Sequence, residues 1–164
     1  MKIVLSIVVI VCSVMIGLCM RKGLAVRCAL LENICGFCRE AGAAISYEHL
    51  APDRIVERSA NSAGFISICA SYIAQGGSFK DAWSEALSGC DELYHLKRDE
   101  REHLLELGMK LGSSDLSGEL DRLSAALEYF SSIKASADVE LKQKSKVYIS
   151  CSAMCGMMLL LLVI

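Results

Sequence analysis

Apolar residues are concentrated in two blocks near the ends of the chain. Residues 3–20 carry 15 apolar side chains in 18 positions, and residues 147–164 carry the same number. Neither block contains a charged residue or a proline. An 18-residue helix rises about 27 Å, close to the roughly 30 Å of the bilayer hydrocarbon core. The pattern therefore predicts one transmembrane helix at 3–20 and another at 147–164.

A cleaved signal peptide is the alternative for the first block, because Lys2 precedes an apolar run. No small-x-small cleavage site follows that run, and Arg21 and Lys22 come next. We therefore expect an uncleaved anchor. Both blocks have their basic flanks on the inner side, at Arg21, Lys22, Arg27, Lys142, Lys144 and Lys146. Since basic residues favour the cytoplasmic side of a membrane, residues 23–146 are predicted to form one cytoplasmic domain.

Between the blocks, apolar residues recur at steps of three and four, which is typical of helices. The first stripe ends near Ile45, and Pro52 is placed to open a second helix that runs to Ile73. Gly76-Gly77 ends that helix, and Ser78 is a candidate N-cap for a short helix from Phe79 to about Ser88. A fourth helix is predicted over 91–111. A last helix of roughly 45–50 residues would continue into the second block. The expected fold is an all-α antiparallel helical bundle flanked by the two membrane helices.

The charge balance and the cysteine content reduce the number of function classes that the chain could belong to. Residues 23–146 hold 14 basic and 19 acidic side chains, a balance that disfavours nucleic-acid binding. The nine cysteines are odd in number, and four of them lie in the terminal blocks. Cys35-Gly-Phe-Cys38 is formally a C-x-x-C, so a thiol-based redox or metal-binding membrane protein is one hypothesis, using Cys28, Cys35, Cys38 and His49. The chain offers no second cysteine pair at zinc-ligand spacing, so we expect buried core thiols.

Motifs that would indicate catalysis are missing from the sequence. No phosphate-binding glycine loop and no nucleophile elbow is present. We therefore expect no enzyme activity, no cofactor, no metal and no small-molecule substrate, and we expect the function to lie in a protein-binding surface. The charged run 97–103 and the charges after residue 118 are either plain solvated faces or docking candidates. The docking candidates are Lys97, Arg98, Arg101, Glu119, Asp121 and Arg122.

A motif in the fourth predicted helix is more specific. From Glu102 to Asp115 the sequence reads E-x-L-x-x-L-G-x-x-L-G-x-x-D, and Ala82-Trp83-x-x-Ala86-Leu87 precedes it. Gly112 is expected to adopt positive φ after the helix, and Asp115 to cap the next one. With the terminal blocks, these motifs resemble the stage III sporulation protein AB family of endospore-forming bacteria. The matched residues are Trp83, Leu104, Gly108, Leu111, Gly112 and Asp115. Glu119 stands where the resemblance leads us to expect glutamine.

The resemblance implies a fold and a role. Family members are similar to the helical F domain of type II secretion and type IV pilus inner-membrane platform proteins. They lie in the mother-cell membrane around the forespore, as multi-pass subunits of a secretion-like channel complex. By analogy, the cytoplasmic bundle would dock a secretion-type ATPase, and the spans would contact other channel subunits. A general type II secretion or type IV pilus platform protein remains the alternative.

Overall fold

The computed structural model describes residues 2–61 and 64–163, and every element in those ranges is helical. This confirms the all-α prediction. The described ranges contain six successive α-helices, with a π-helix at Ala44–Glu48 and 3₁₀ turns at Ser59–Asn61 and Asp91–His95. The α-helices are α1 (Lys2–Ala43), α2 (Pro52–Arg58), α3 (Phe65–Ala74), α4 (Phe79–Gly89), α5 (Arg98–Lys110) and α6 (Leu116–Val163).

The chain divides into two compact units. One consists of residues 1–28 and 135–164, and the other of residues 29–134. In the first unit, Arg27 is buried and its guanidinium lies 3.5 Å from the Glu140 carboxylate. The second unit holds α2 to α5, the motif residues from Trp83 to Asp115 and the docking candidates. The predicted domain limits at 23 and 146 stay a prediction.

The predicted membrane helices receive no support from the structure. Among the described residues, none of the helices combines the length and the apolar composition needed to cross a membrane. α1 does not end near residue 20 but continues to Ala43, and α6 runs without a break from Leu116 to Val163. Many side chains of 3–20 and 147–164 lie outside those described. The long last helix itself is confirmed, at 48 residues.

The prediction of one helix from Pro52 to Ile73 is wrong. Pro52 does open α2, but that helix ends at Arg58 and a 3₁₀ turn follows. Gly64 then has φ 85° and ψ −148°, a backbone region that is essentially restricted to glycine. A new helix must therefore start at Phe65. The apolar stripe predicts one continuous helix because its helical spacing continues across this break.

The predicted fourth helix also starts later than expected. Residues Asp91–His95 form a 3₁₀ turn, and Leu96 and Lys97 are extended. The Glu100 carboxylate accepts a hydrogen bond from the Lys97 backbone N–H at 2.9 Å, which satisfies a donor before the first turn of α5. Glu100 is consequently buried, so the charged run 97–103 is not a uniformly solvated face.

Candidate functional site

Trp83 forms the centre of the second unit. Its side chain is fully buried, and its indole Nε1 donates a hydrogen bond to the Leu104 carbonyl of α5 at 3.0 Å. The rings of Phe37, Phe65 and Phe79 surround it with centroids 5.1–5.5 Å away. Gly108 lies against the indole so closely that a Cβ there would overlap the ring. The motif residues Trp83, Leu104 and Gly108 thus form a closed helix-packing contact in which the indole N–H is satisfied.

The turn between α5 and α6 uses the rest of the motif. Leu111 is buried, and Gly112 has φ 80°, which confirms its expected conformation. A Cβ on Gly112 would lie 3.0 Å from Cγ of Pro52, so this turn contacts the start of α2. Asp115 caps α6 as expected, since its Oδ1 accepts from the Gly118 N–H at 3.3 Å. Hydrogen bonds from Ser117 Oγ and then from Gly118 lower the pKa of Asp115.

Glu119 is buried in this turn, contrary to the expectation that it lies on an exposed docking face. Its Oε1 accepts from the backbone N–H groups of Ser113 and Ser114 at 3.1 and 2.8 Å. Arg122 reaches the same oxygen at 3.2 Å and also donates to the Lys110 carbonyl at 2.5 Å. The two side chains therefore hold the turn together, because they satisfy backbone groups that the helix ends leave unpaired.

The second carboxylate oxygen of Glu119 is different. Oε2 is inaccessible to solvent and has no hydrogen-bond partner among the described residues. Glu119 also lines an open cavity of about 210 Å³ between this turn and the corner that joins α1 to α2. The other lining residues include Ile45, His49, Leu50, Pro52 and Leu116. A buried acceptor without a donor costs about 1–3 kcal/mol, so it needs an explanation.

The α1–α2 corner beside this cavity has an unusual backbone. The last residues before it form a π-helix, and His49 follows with φ 51°, the one positive φ outside glycine in the described ranges. Such conformations are often found at functional sites. Tyr47 is 85% exposed on the same corner. The sequence does not predict this feature, because the residue with the left-handed backbone conformation is His49 and not a glycine or an asparagine.

The remaining docking candidates are dispersed. Lys97 and Arg98 are exposed, and Arg98 pairs with Glu102 at 3.0 Å. Arg101 lies over the Tyr94 ring, 5.2 Å from its centroid. Asp121 is exposed on α6. Lys97, Arg98 and Arg101 thus belong to the α5 side, where Arg98 and Arg101 line a separate groove of about 260 Å³ with Leu87 and Leu105.

The cysteines of the candidate redox motif are buried. Cys35 and Cys38 are at most 2% exposed, and Cys69 is fully buried. Burial raises the pKa of Cys38 and of Cys69 to about 12, and it also raises the pKa of Cys35. Thiols of this kind remain protonated at neutral pH, whereas thiolates are the reactive and metal-binding form. In the described part of the chain, no cluster of three or more His, Cys, Asp or Glu could hold a metal.

A comparison with protein families shows which family the chain belongs to. A family model described as stage III sporulation protein AB matches residues 2–164. Comparison with curated proteins and with solved structures gives no match. The matching family is one of sporulation proteins and is not a known enzyme family. With a match over the whole length, the chain belongs to the stage III sporulation protein AB family.

Proposed function

We propose that the chain is a non-enzymatic platform subunit of a sporulation-specific, secretion-like complex between mother cell and forespore. In this proposal the bundle docks a secretion-type ATPase, and the apolar ends attach it to the mother-cell membrane beside the other channel subunits. The observation that carries the proposal is the family match over residues 2–164. It favours a sporulation role over a general type II secretion or type IV pilus platform.

Several properties of the residues support the proposal. The terminal blocks, with 15 apolar positions in 18 each, support membrane attachment on sequence grounds. A central domain between the basic flanks would then be cytoplasmic. The buried Cys35 and Cys38 thiols, whose pKa values are raised, disfavour the thiol-based alternative.

A deletion strain tests the proposal. We expect vegetative growth at the wild-type rate, completed engulfment and then arrest, measured as a large fall in heat-resistant spores with restoration by the wild-type gene. Membrane fractionation of the complemented strain should recover the chain with the membranes. Normal spore yield from the deletion strain would refute the sporulation role, and recovery in the soluble fraction would refute the membrane attachment.

A further inference from the structure

We propose that the cavity at Glu119 is a docking site for an arginine or lysine side chain of a partner protein. The cavity lies between the α1–α2 corner and the α5–α6 turn, and we call it the corner cavity. This inference rests on the proposed function, because the partner would be another subunit of the same complex. It adds the place of contact and the chemistry of the contacting residue.

The two carboxylate oxygens of Glu119 differ in their hydrogen bonding. Oε1 of Glu119 already accepts from two backbone N–H groups and from Arg122, so its position in the turn is fixed. Oε2 accepts from nothing in the described residues, although the Glu119 side chain is only 7% exposed. A carboxylate forms its strongest hydrogen bonds with charged donors. Since Oε2 is closed to solvent, we expect a cationic side chain that enters the cavity to reach it through a rotamer change in the lining, a common event at interfaces, and then to complete the coordination of Glu119.

The size and lining of the corner cavity suit a long basic side chain. Its volume of about 210 Å³ exceeds the roughly 10–15 Å³ that one ordered water needs, so it can accept a side chain. Ile45, Leu50 and Pro52 supply apolar wall, and Leu116 is 45% exposed at the cavity. Long basic side chains bury their methylenes against apolar surface while the charged end finds a polar partner. The apolar wall of the cavity would contact the methylenes of such a side chain, and Glu119 would be the polar partner of its charged end.

Two exposed carboxylates lie next to the corner cavity in the sequence. Asp53 and Asp115 are exposed and are sequence neighbours of the cavity residues Pro52, Ser114 and Leu116. Neither carboxylate has a basic partner among the described ion pairs, whereas Glu48 pairs with Arg58 at 2.7 Å. The surroundings of the corner cavity therefore retain uncompensated negative charge. This charge would attract a basic segment and repel an acidic one.

The test of chemistry is an NMR titration of the full chain in detergent with Nα-acetyl-arginine amide. We expect saturable shifts at the backbone amides of Ser113 and Ser114, which Glu119 accepts from, and no such shifts with Nα-acetyl-norleucine amide. Glu119→Gln should weaken arginine-amide binding roughly tenfold, because it removes the charged acceptor. Glu128→Gln, at an exposed position of the same helix, is the matched control and should bind like the wild type. Equal shifts with the norleucine probe, or unchanged binding by Glu119→Gln, would overturn the proposal.

A second pair of variants keeps the test informative if Glu119→Gln fails to fold. Leu116→Lys places a competing cation at the cavity, and Leu116→Asp places an anion there. Arginine-amide binding should weaken in the first and strengthen in the second. Equal affinity of the two variants for the arginine amide would overturn the proposal, because a site that binds a cation must respond to the sign of the charge at position 116.

The test of the partner uses a photo-crosslinking residue at position 116 in sporulating cells, with position 128 as the control. We expect an adduct at position 116 whose mapped peptide contains a basic residue. An adduct with a peptide lacking Arg and Lys, or no protein adduct, would overturn the docking proposal. If deletion leaves sporulation normal while the titration succeeds, the proposed function fails and the site chemistry stands. If deletion arrests sporulation while the titration fails, only this inference fails.

Discussion

The Trp83 contact and the corner cavity are built by the same motif but differ in kind. At the Trp83 contact, Gly108 lets α5 approach an indole whose N–H is already bonded to Leu104. At the corner cavity, Gly112 supplies a positive φ, and Oε2 of the cavity residue Glu119 has no hydrogen-bond donor among the described residues. The first region is closed and chemically complete. The second is open, and one oxygen of Glu119 lacks a donor in the described part of the chain, so we propose partner binding there.

The largest expected effect comes from Gly108→Ala. The added Cβ would overlap the Trp83 ring, and relief requires a shift of helix or indole, so we expect a loss of roughly 2–3 kcal/mol in the free energy of unfolding. Gly36→Ala is the matched control, since nothing lies within 4 Å of its added Cβ in α1. It should be neutral or stabilising by about 0.5–1 kcal/mol. Urea unfolding measures both, and equal stability of the two variants would refute the closed contact.

Gly112→Ala should have the next largest effect. An L-residue in the left-handed region costs about 1–2 kcal/mol, and the new Cβ would press on Pro52. Gly112→Asn should lose less stability, because asparagine tolerates this conformation better. The comparison of the two midpoints in urea checks the prediction. If both lose the same amount, the Pro52 contact rather than φ dominates.

Asp115→Ala should lower the melting temperature by less than Gly112→Ala, because it removes a helix cap and leaves the turn intact. Asp115→Asn should retain most of the wild-type melting temperature. The lowered pKa of Asp115 also gives a pH dependence. Its stabilising contribution is present above the ordinary aspartate pKa and is lost as pH falls through the lower folded value. An acid titration in which wild type and Asp115→Ala differ equally at every pH would contradict this.

The buried thiols are expected to have the smallest effect on stability at neutral pH. Cys38 and Cys69 have pKa values of about 12, so iodoacetamide should label them slowly at pH 8 in the folded chain and quickly in urea. Because the folded pKa lies above the unfolded one, their contribution to stability is complete below about pH 8.5 and is lost as pH rises towards 12. Peptide mass spectrometry measures the labelling. Rapid labelling of Cys38 in the folded chain would contradict its burial and would support the hypothesis of a thiol-based redox or metal-binding protein.

Features that depend on neighbouring residues are predictable from the sequence, whereas features that depend on the folded chain are not. Pro52, Ser78, Gly112 and Asp115 were correctly placed because turn and cap preferences depend on neighbouring residues. The break at Gly64 was missed, since an isolated glycine in an apolar stripe does not reveal its φ. The burial of Glu119 was missed for a different reason. It results from two backbone N–H groups five and six residues away and from Arg122, which only the folded turn brings together.

The most direct test of the central claim is the spore yield of strains whose single copy carries Leu116→Lys or Leu116→Asp. Ser117→Lys, in the same helical turn but outside the cavity lining, controls for added charge at the start of α6. At matched protein levels, we predict fewer heat-resistant spores for Leu116→Lys than for either Leu116→Asp or Ser117→Lys. Equal spore yields from all three strains would contradict partner docking at the corner cavity.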